Sequence, residues 1–308
     1  MSFVHSIQFS GFSFRAAKPT DLDLVVALMA EQNTQDYGEP GVSSEILRAR
    51  WETLNLAQNT WLALAPDASL AGYVELTPDP PNSFDMSLYL ANNPQQVELG
   101  AYLLNLAEQC ATPALPIYTR VSAANTAVMQ IFRDAGYISR LSFLTMKRSL
   151  ETSPEPAQWM PGLTVRAFAS GLDEQAVYRV DEEASVDKGY HAPMSFDQWA
   201  RRMNLYSPDF DPGLWFLACH RDEIAGVALN FYAANSKTAW IDHLSVLRSW
   251  RNQGIGKALL LHSFGIFHHR GIQQVCLSVD SKSLTNAPRL YAQVGMETIL
   301  EYHIFKKG

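Results

Sequence analysis

The sequence predicts an α/β fold built twice, and three observations carry that expectation. Within each half, strand patterns arrive in a block ahead of the last helices, which is the signature of a mixed sheet flanked by helices rather than a purely doubly wound one. The two halves repeat one another in order. Between them, at residues 149–162, the chain reads SLETSPEPAQWMPG, a proline-rich stretch without apolar periodicity of the kind that joins domains. At 308 residues the chain is long enough for two domains with cores of their own. The expected division is therefore 1–149, a connection at 150–162, and 163–308.

The repeat can be followed element by element. FRAAKPTDLDLVVALM (14–29) parallels VRAFASGLDEQAVYRV (165–180), each a short strand with an arginine, a turn and a helical pattern. LGAYLLNLAEQ (99–109) parallels IGKALLLHSFG (255–265), and VSAANTAVMQIFRDAGY (121–137) parallels VDSKSLTNAPRLYAQVGM (279–296). The pairs Arg15/Arg166, Gly100/Gly256 and Gly136/Gly295 keep nearly the same separation, so a duplication explains the order better than chance. In the second half the strands are TVRAF, WFLACHR, EIAGVALNFYA, AWIDHLSVL, QQVCLSV and ILEYHIFKK. HRDEIAG and AANSKT supply hairpin turns through Gly, Asn, Asp and Ser.

Composition removes several function classes. A net charge of −7 argues against a non-specific nucleic-acid binder, which needs a basic face to displace counterions. No apolar run approaches the ~18 residues of a membrane span. The start, MSFVHSIQFSGFSFR, lacks the charged head and cleavage site of a signal peptide, so the expected location is the cytoplasm. Cys110, Cys219 and Cys276 have no metal-site spacing and are expected to be buried free thiols. His262, His268 and His269 fit a helix end, where cationic histidine suits the C-terminal dipole, better than a metal site.

The stretch RNQGIGKALL (251–260) is the strongest chemical signal. A Walker loop fails on Arg251 and Ala258, and a dinucleotide fingerprint fails at Leu259, where its third glycine belongs. What remains is a strand, a turn, and two glycines that let a ligand approach backbone amides at a helix start, with Arg251 and Lys257 adding charge. A pyrophosphate is the natural guest, and a solvated basic turn is the plainer alternative.

LSVLRSWRNQGIGKALL resembles the acyl-CoA-binding signature of the GNAT superfamily of N-acyltransferases, and VDSKSLTNAPRLYAQVGM resembles that superfamily's second signature. PDFDPGLWFLACHRDEIAGVAL and the duplicated layout are similar to its tandem members. The resemblance implies two tandem GNAT-like domains, each a mixed, mostly antiparallel twisted sheet flanked by helices, with acetyl-CoA as cosubstrate in the second. It implies N-acetyl transfer to an unidentified, small-molecule amine. A non-catalytic acyl-CoA sensor or interaction protein is the alternative, and a nucleotide-binding oxidoreductase would rest on two glycines alone.

Carried over by position, Arg251, Asn252, Gln253, Gly254, Ile255, Gly256, Lys257 and Ala258 match the pyrophosphate loop. Leu244, Ser245 and Val246 match the strand that pairs with the pantetheine arm. Asn286 stands near the asparagine of the second signature, whose usual place holds Ser283. Tyr291 matches the tyrosine that protonates the departing thiolate; its plainer role is helix packing. The base that takes the amine's proton stays open among Asp242 or His243, expected to alternate in facing, Glu182 or Glu183 on the acceptor-side helix, and a chain of waters. Asp242 and Glu183 are the carboxylates carried forward as catalytic candidates.

The first half lacks this equipment. Glu98 stands where Gly254 does, Gly100 is alone, and the counterpart of Tyr291 is Phe132, which has no proton to donate. That half is expected to be catalytically silent. Its aromatics Tyr37, Trp51, Trp61 and Tyr73 fit a core or one wall of an acceptor pocket.

Overall fold

The computed structural model describes residues 11–79, 82–112, 115–188, 191–233 and 237–307. In chain order the strands and α-helices are β1 (Ser13–Arg15), α1 (Leu22–Tyr37), α2 (Ser44–Thr53), α3 (Leu56–Asn59), β2 (Thr60–Leu64), β3 (Leu70–Asp79), β4 (Ser83–Leu90), α4 (Gln96–Glu108), β5 (Ile117–Ser122), α5 (Thr126–Asp134) and β6 (Ile138–Ser149). There follow β7 (Leu163–Ala167), α6 (Glu174–Ser185), α7 (Phe196–Arg202), β8 (Trp215–His220), β9 (Glu223–Ala233), β10 (Thr238–Val246), α8 (Ile255–His269), β11 (Gln274–Asp280), α9 (Ala287–Gln293) and β12 (Glu297–Lys307).

The chain forms two compact units, Met1–Ser142 with Leu300–Gly308, and Phe143–Ile299. Each unit thus takes its last strand from the other half of the sequence. The first sheet runs β1-β2-β3-β4-β5-β12, and the second runs β7-β8-β9-β10-β11-β6. Among the described residues each has one parallel pair, β4 with β5 and β10 with β11; the other pairs are antiparallel. This is the mixed, mostly antiparallel sheet with flanking helices that the resemblance implies. The compact units and the sequence halves differ at their ends because β6 adds to β11, Gln274 to Ser149 through Asp280 to Phe143, while β12 adds to β5. The proline-rich stretch lies against the second unit: Pro154 is buried, Trp159 meets the ring of His262, and Leu150 NH donates to Gln273 O at 2.8 Å.

Each sheet separates two packed layers. In the first unit, Leu88, Leu90, Leu103, Ile131 and Phe132 pack on the α4/α5 side and Val25, Met29, Trp51 and Tyr73 on the α1/α2 side. In the second, Ile241, Leu260, Phe264 and Tyr291 pack on the α8/α9 side, and Val177, Trp199, Trp215 and Leu229 on the α6/α7 side. Trp51 and Tyr73 therefore belong to a core, where both hydrogen-bond the buried Glu75. Cys219 and Cys276 are buried, whereas Cys110 is exposed, because it follows the last turn of α4. Arg221, with φ +54°, makes the β8–β9 turn; residues 234–236 of the β9–β10 turn lie outside the described residues. Among the described residues no helix is long and apolar enough to cross a membrane.

The duplicated arginines have a common task. Arg15 forks onto Asp21 at 2.6 and 2.8 Å, and Arg166 onto Asp173 at 2.5 and 2.8 Å. Each aspartate also accepts a backbone amide, from Lys18 at 2.7 Å and from Ala169 at 2.7 Å, which ties the first strand of its unit to the first helix. The Arg166 hydrogen bonds hold the Asp173 carboxyl below its ordinary range, against the opposing effect of burial. A carboxyl depressed in the folded state contributes stability that is present above its unfolded pKa and lost as pH falls through the folded one. Asp173→Asn should therefore cost about 1–3 kcal/mol at neutral pH. In urea unfolding across pH, that difference should shrink on acidification below the ordinary carboxylate range; a difference independent of pH would remove the ion pair as its source.

Candidate active site

One extra residue in β10 builds the site. The β9–β10 register runs Ile241 to Asn230 and then His243 to Leu229, so Asp242 is a bulge with no partner of its own. Ladder pairing with β11 stops at the same place, after Ile241 with Leu277, and the two parallel strands part. The bulge also reverses facing. Ala239 and Ile241 pack toward α8, and beyond the bulge it is Leu244 and Val246 that do so. His243 and Ser245 are thereby turned to the α6 side, where strict alternation from Ile241 would have sent His243 into the α8 core. The expected alternation of Asp242 and His243 thus fails at the bulge.

On the α6 side they meet Asp181, whose residue is 1% exposed. His243 Nδ1 lies 2.6 Å from Asp181 Oδ2, Ser245 Oγ donates to Oδ1 at 2.7 Å, and Trp199 Nε1 donates to Oδ2 at 2.8 Å. Burial works to raise the Asp181 carboxyl, but His243, Ser245 and Trp199 outweigh it and hold it well below the usual range. Asp181 was not singled out in the sequence, where attention fell on its neighbours. The signal was present: Val177, Val180, Asp181 and Ala184 form the buried stripe of α6, and a carboxylate on a buried stripe demands partners. Glu183 is exposed, off that stripe, and Asp242 is exposed as well. Glu182 is half-buried and accepts the Met194 amide at 3.3 Å, with His191 Nε2 at 3.3 Å.

The splayed edge of β10 belongs to Leu244 and Val246. Leu247 NH donates to Ala225 O at 3.0 Å, so odd-numbered residues here bond β9 and even-numbered ones present backbone groups to the gap. Ser245 sits between them with its side chain on Asp181.

The loop follows at once. Asn252 at φ +60° and Gly254 at φ +80° turn the chain into α8, and a Cβ on Gly254 would meet nothing within 4 Å. Asn is one of the few non-glycine residues that adopts this conformation readily. Ala258 NH closes onto Gly254 O at 2.9 Å, so the amides of Ile255, Gly256 and Lys257 are those an α-helix leaves without intrahelical acceptors. Lys257 is exposed, Ala258 and Ile255 are buried, and Gln253 bonds back to Ser249 O at 3.2 Å. Gly256 faces Leu290, Leu244 and Val246, with its nearest neighbour 3.3 Å from where a Cβ would stand. A turn with open helix-start amides, beside a free strand edge, is what these residues form. Asn286, at φ +54°, is exposed at the start of α9, and Tyr291 is buried in the cluster that also receives Leu244 and Leu290.

Arg251 serves the loop's shape. Its Nε donates to Val246 O at 3.0 Å, Nη1 to Asp187 Oδ2 at 2.5 Å, and Nη2 to Ala184 O at 3.2 Å, binding the loop to the C-terminal end of α6. Arg248 shares Asp187.

The first unit departs at each corresponding place. Its β4 runs without a bulge, and β4 and β5 pair at only two positions before parting. The cleft between them is lined by Gln32, Asn33, Asp36, Tyr37, Tyr89 and Arg120, among others. There the Gln32 amide occupies the free edge of β4: Leu90 NH donates to Oε1 at 2.8 Å, and Nε2 donates to Leu88 O at 3.4 Å. A Cβ on Gly100 would fall 2.6 Å from Ile131 Cδ1 and 2.7 Å from Leu90 Cδ1. Glu98 stands in the first turn of α4, and Phe132 is fully buried.

Among the described residues no group of three or more His, Cys, Asp or Glu side chains is placed to hold a metal ion.

Comparison with known proteins agrees with this geometry. The Acetyltransferase (GNAT) family model matches residues 178–296. A crystal structure of a GCN5-related N-acetyltransferase from Sphaerobacter thermophilus superposes with a TM-score of 0.81 at 31% identity, covering 96% of this chain and 95% of that one. The mycothiol acetyltransferases of Thermobispora bispora and Thermomonospora curvata are 26% and 29% identical, over 90% and 88% of this chain and 92% and 88% of theirs. A tandem GNAT protein from the clavulanic acid biosynthesis pathway shares the fold, with a TM-score of 0.65 at 14% identity.

If Arg251 braces the loop through its fork, a lysine cannot replace it. Arg251→Lys and Arg251→Ala should lose stability alike, by about 1–3 kcal/mol in urea unfolding. Recovery by lysine would mean that charge alone is what the position needs.

Proposed function

The chain belongs to the GCN5-related N-acetyltransferase (GNAT) family, and from that premise we propose how its second unit works: it holds acetyl-CoA between the β10 edge and the α8 loop and acetylates a small primary amine on the α6 side. The activity is acetyl-CoA-dependent N-acetyl transfer. The observation that carries this assignment of parts is the parting of β10 from β11 directly ahead of the loop whose first-turn amides are open.

The residues present suit the cosubstrate. Leu244 and Val246 would pair with an extended amide-bearing arm as an added strand does. The amides of Ile255, Gly256 and Lys257, with the exposed Lys257 side chain, would hold the pyrophosphate. When bound, acetyl-CoA supplies an acetyl group already activated as a thioester. Tyr291, beside Leu244 in the buried cluster, is the proposed donor of the proton that the departing sulfur needs.

The acceptor meets the opposite face. Trp240 points to that side, against Ala239 and Ile241, and stacks on the half-exposed Phe231 with centroids 6.3 Å apart and planes within 5°. This flat apolar shelf beside the exposed Asp242 suits an amine carried on a ring, and the mycothiol acetyltransferases offer a precedent for a small polar acceptor. The first unit, with Gln32 on its strand edge and side chains packed over Gly100, is proposed to carry no cofactor. Action in the cytoplasm is part of the same proposal.

The sensor reading keeps the cradle and drops turnover, so the two part on catalysis. Acetyl-CoA should raise the melting temperature of the wild type, and Gly256→Glu should abolish the rise by placing a carboxylate against Leu290 and the anion. A rise that survives would put the cofactor elsewhere. Titration calorimetry should count one acetyl-CoA per chain; two equivalents would overturn the silent first unit. With an amine identified by free-thiol release, Tyr291→Phe should slow turnover while leaving acetyl-CoA affinity nearly unchanged, and an unaltered rate would remove it as the acid.

A further inference from the structure

Acetyl transfer to an amine begins with a proton that must leave, because a primary ammonium loses it only near pH ~10. Resting on the acetyltransferase reading, we propose that His243 Nε2 takes that proton, with Asp181 as the residue that positions the ring and fixes its tautomer.

The geometry leaves one arrangement of hydrogens. Asp181 is buried, ionised and therefore only an acceptor, and it already receives Ser245 Oγ and Trp199 Nε1. At 2.6 Å from Oδ2, His243 Nδ1 must carry a hydrogen. In the neutral ring the lone pair then sits on Nε2, on the far side from Asp181, and among the described residues Nε2 has no hydrogen-bond partner. The His243 side chain is 12% exposed, as a group that meets a ligand in a cleft should be.

The surrounding groups fit the task. Asp242 lies next in the chain on the same side of the bulge. The half-buried Lys188, just beyond α6, shares electrostatic interactions with Asp181, Asp242, Glu182 and Arg202, and burial lowers its ammonium. Asp242 and Glu182 supply negative charge to attract a cationic acceptor, while the imidazole is the side chain whose ordinary ionisation lies nearest neutrality. In the balanced step, the acceptor ammonium gives one proton to Nε2, and its freed lone pair forms the C–N bond to the thioester carbon as the C–S bond breaks. The sulfur leaves with a proton from Tyr291 Oη, which is made good by the second proton shed from nitrogen. His243 returns its proton to solvent, so the net products are the amide, the free thiol and one proton.

The test uses the full chain labelled with 15N-histidine. Long-range 1H–15N spectra should give His243 the Nδ1–H tautomer, with a far-downfield proton absent from His243→Gln; an Nε2–H tautomer would overturn the proposal without any assay. Asp181→Asn, which keeps the side chain's shape but can donate, should shift that tautomer, and an unchanged one would remove Asp181 from the positioning role. His243→Gln should keep the wild-type acetyl-CoA melting shift. With D-glucosamine as the probe amine, wherever the wild type turns it over, kcat should fall about 100-fold or more and the acid limb of the pH profile should vanish. An unchanged profile would sink the proposal. Loss of the melting shift in the wild type itself would instead defeat the acetyltransferase reading on which it rests.

Discussion

The bulge at Asp242 is the constraint from which the second unit's site follows. A strand of unbroken alternation would have sent His243 into the apolar layer against α8. One unpaired residue shifts side-chain parity at the point where the parallel ladder ends. Leu244 and Val246 consequently keep the apolar contacts while their backbone groups face an opening. His243 and Ser245 consequently reach Asp181 on the other face. The carboxylate is affordable there only because three donors converge on it, since a buried charge without partners would neutralise or unfold its surroundings.

The first unit shows what the same plan looks like when the opening is closed from within. Its β4 and β5 part as β10 and β11 do, so the topology alone does not leave a strand edge free. Gln32 offers the edge of β4 one acceptor and one donor, the same pair an added strand would offer, and thereby satisfies groups that burial would otherwise penalise. Ile131 and Leu90 press closer to Gly100, at 2.6 and 2.7 Å from where a Cβ would stand, than Leu290 does to Gly256, at 3.3 Å.

How much of this the sequence displayed depended on whether a feature is local. The glycine loop was legible because a strand end, a turn and a helix start are neighbours in the chain, and the duplication was legible because order survives divergence. The role of Arg251 was not: its charge suggested a ligand, but its fork reaches Asp187 and Ala184, which only the fold brings near. His243 was in view only as one of two alternating candidates, because parity reasoning holds until a bulge breaks it. Asp181 was missed for a related reason, since Glu182 and Glu183 drew attention as charges while the residue on the buried stripe mattered more.

The exchange of final strands makes the second unit depend on residues encoded in the first half of the sequence. β6 comes from the first half of the sequence yet forms the last strand of the second sheet, pairing with β11 from Gln274 to Asp280. Without it, β11 would present an unpaired row of amides and carbonyls along the strand whose other edge parts from β10. Arg148 on β6 also donates to Val294 O at 2.5 Å, at the end of the helix that carries Tyr291. The proposed acid is thus held partly by a strand encoded before the linker.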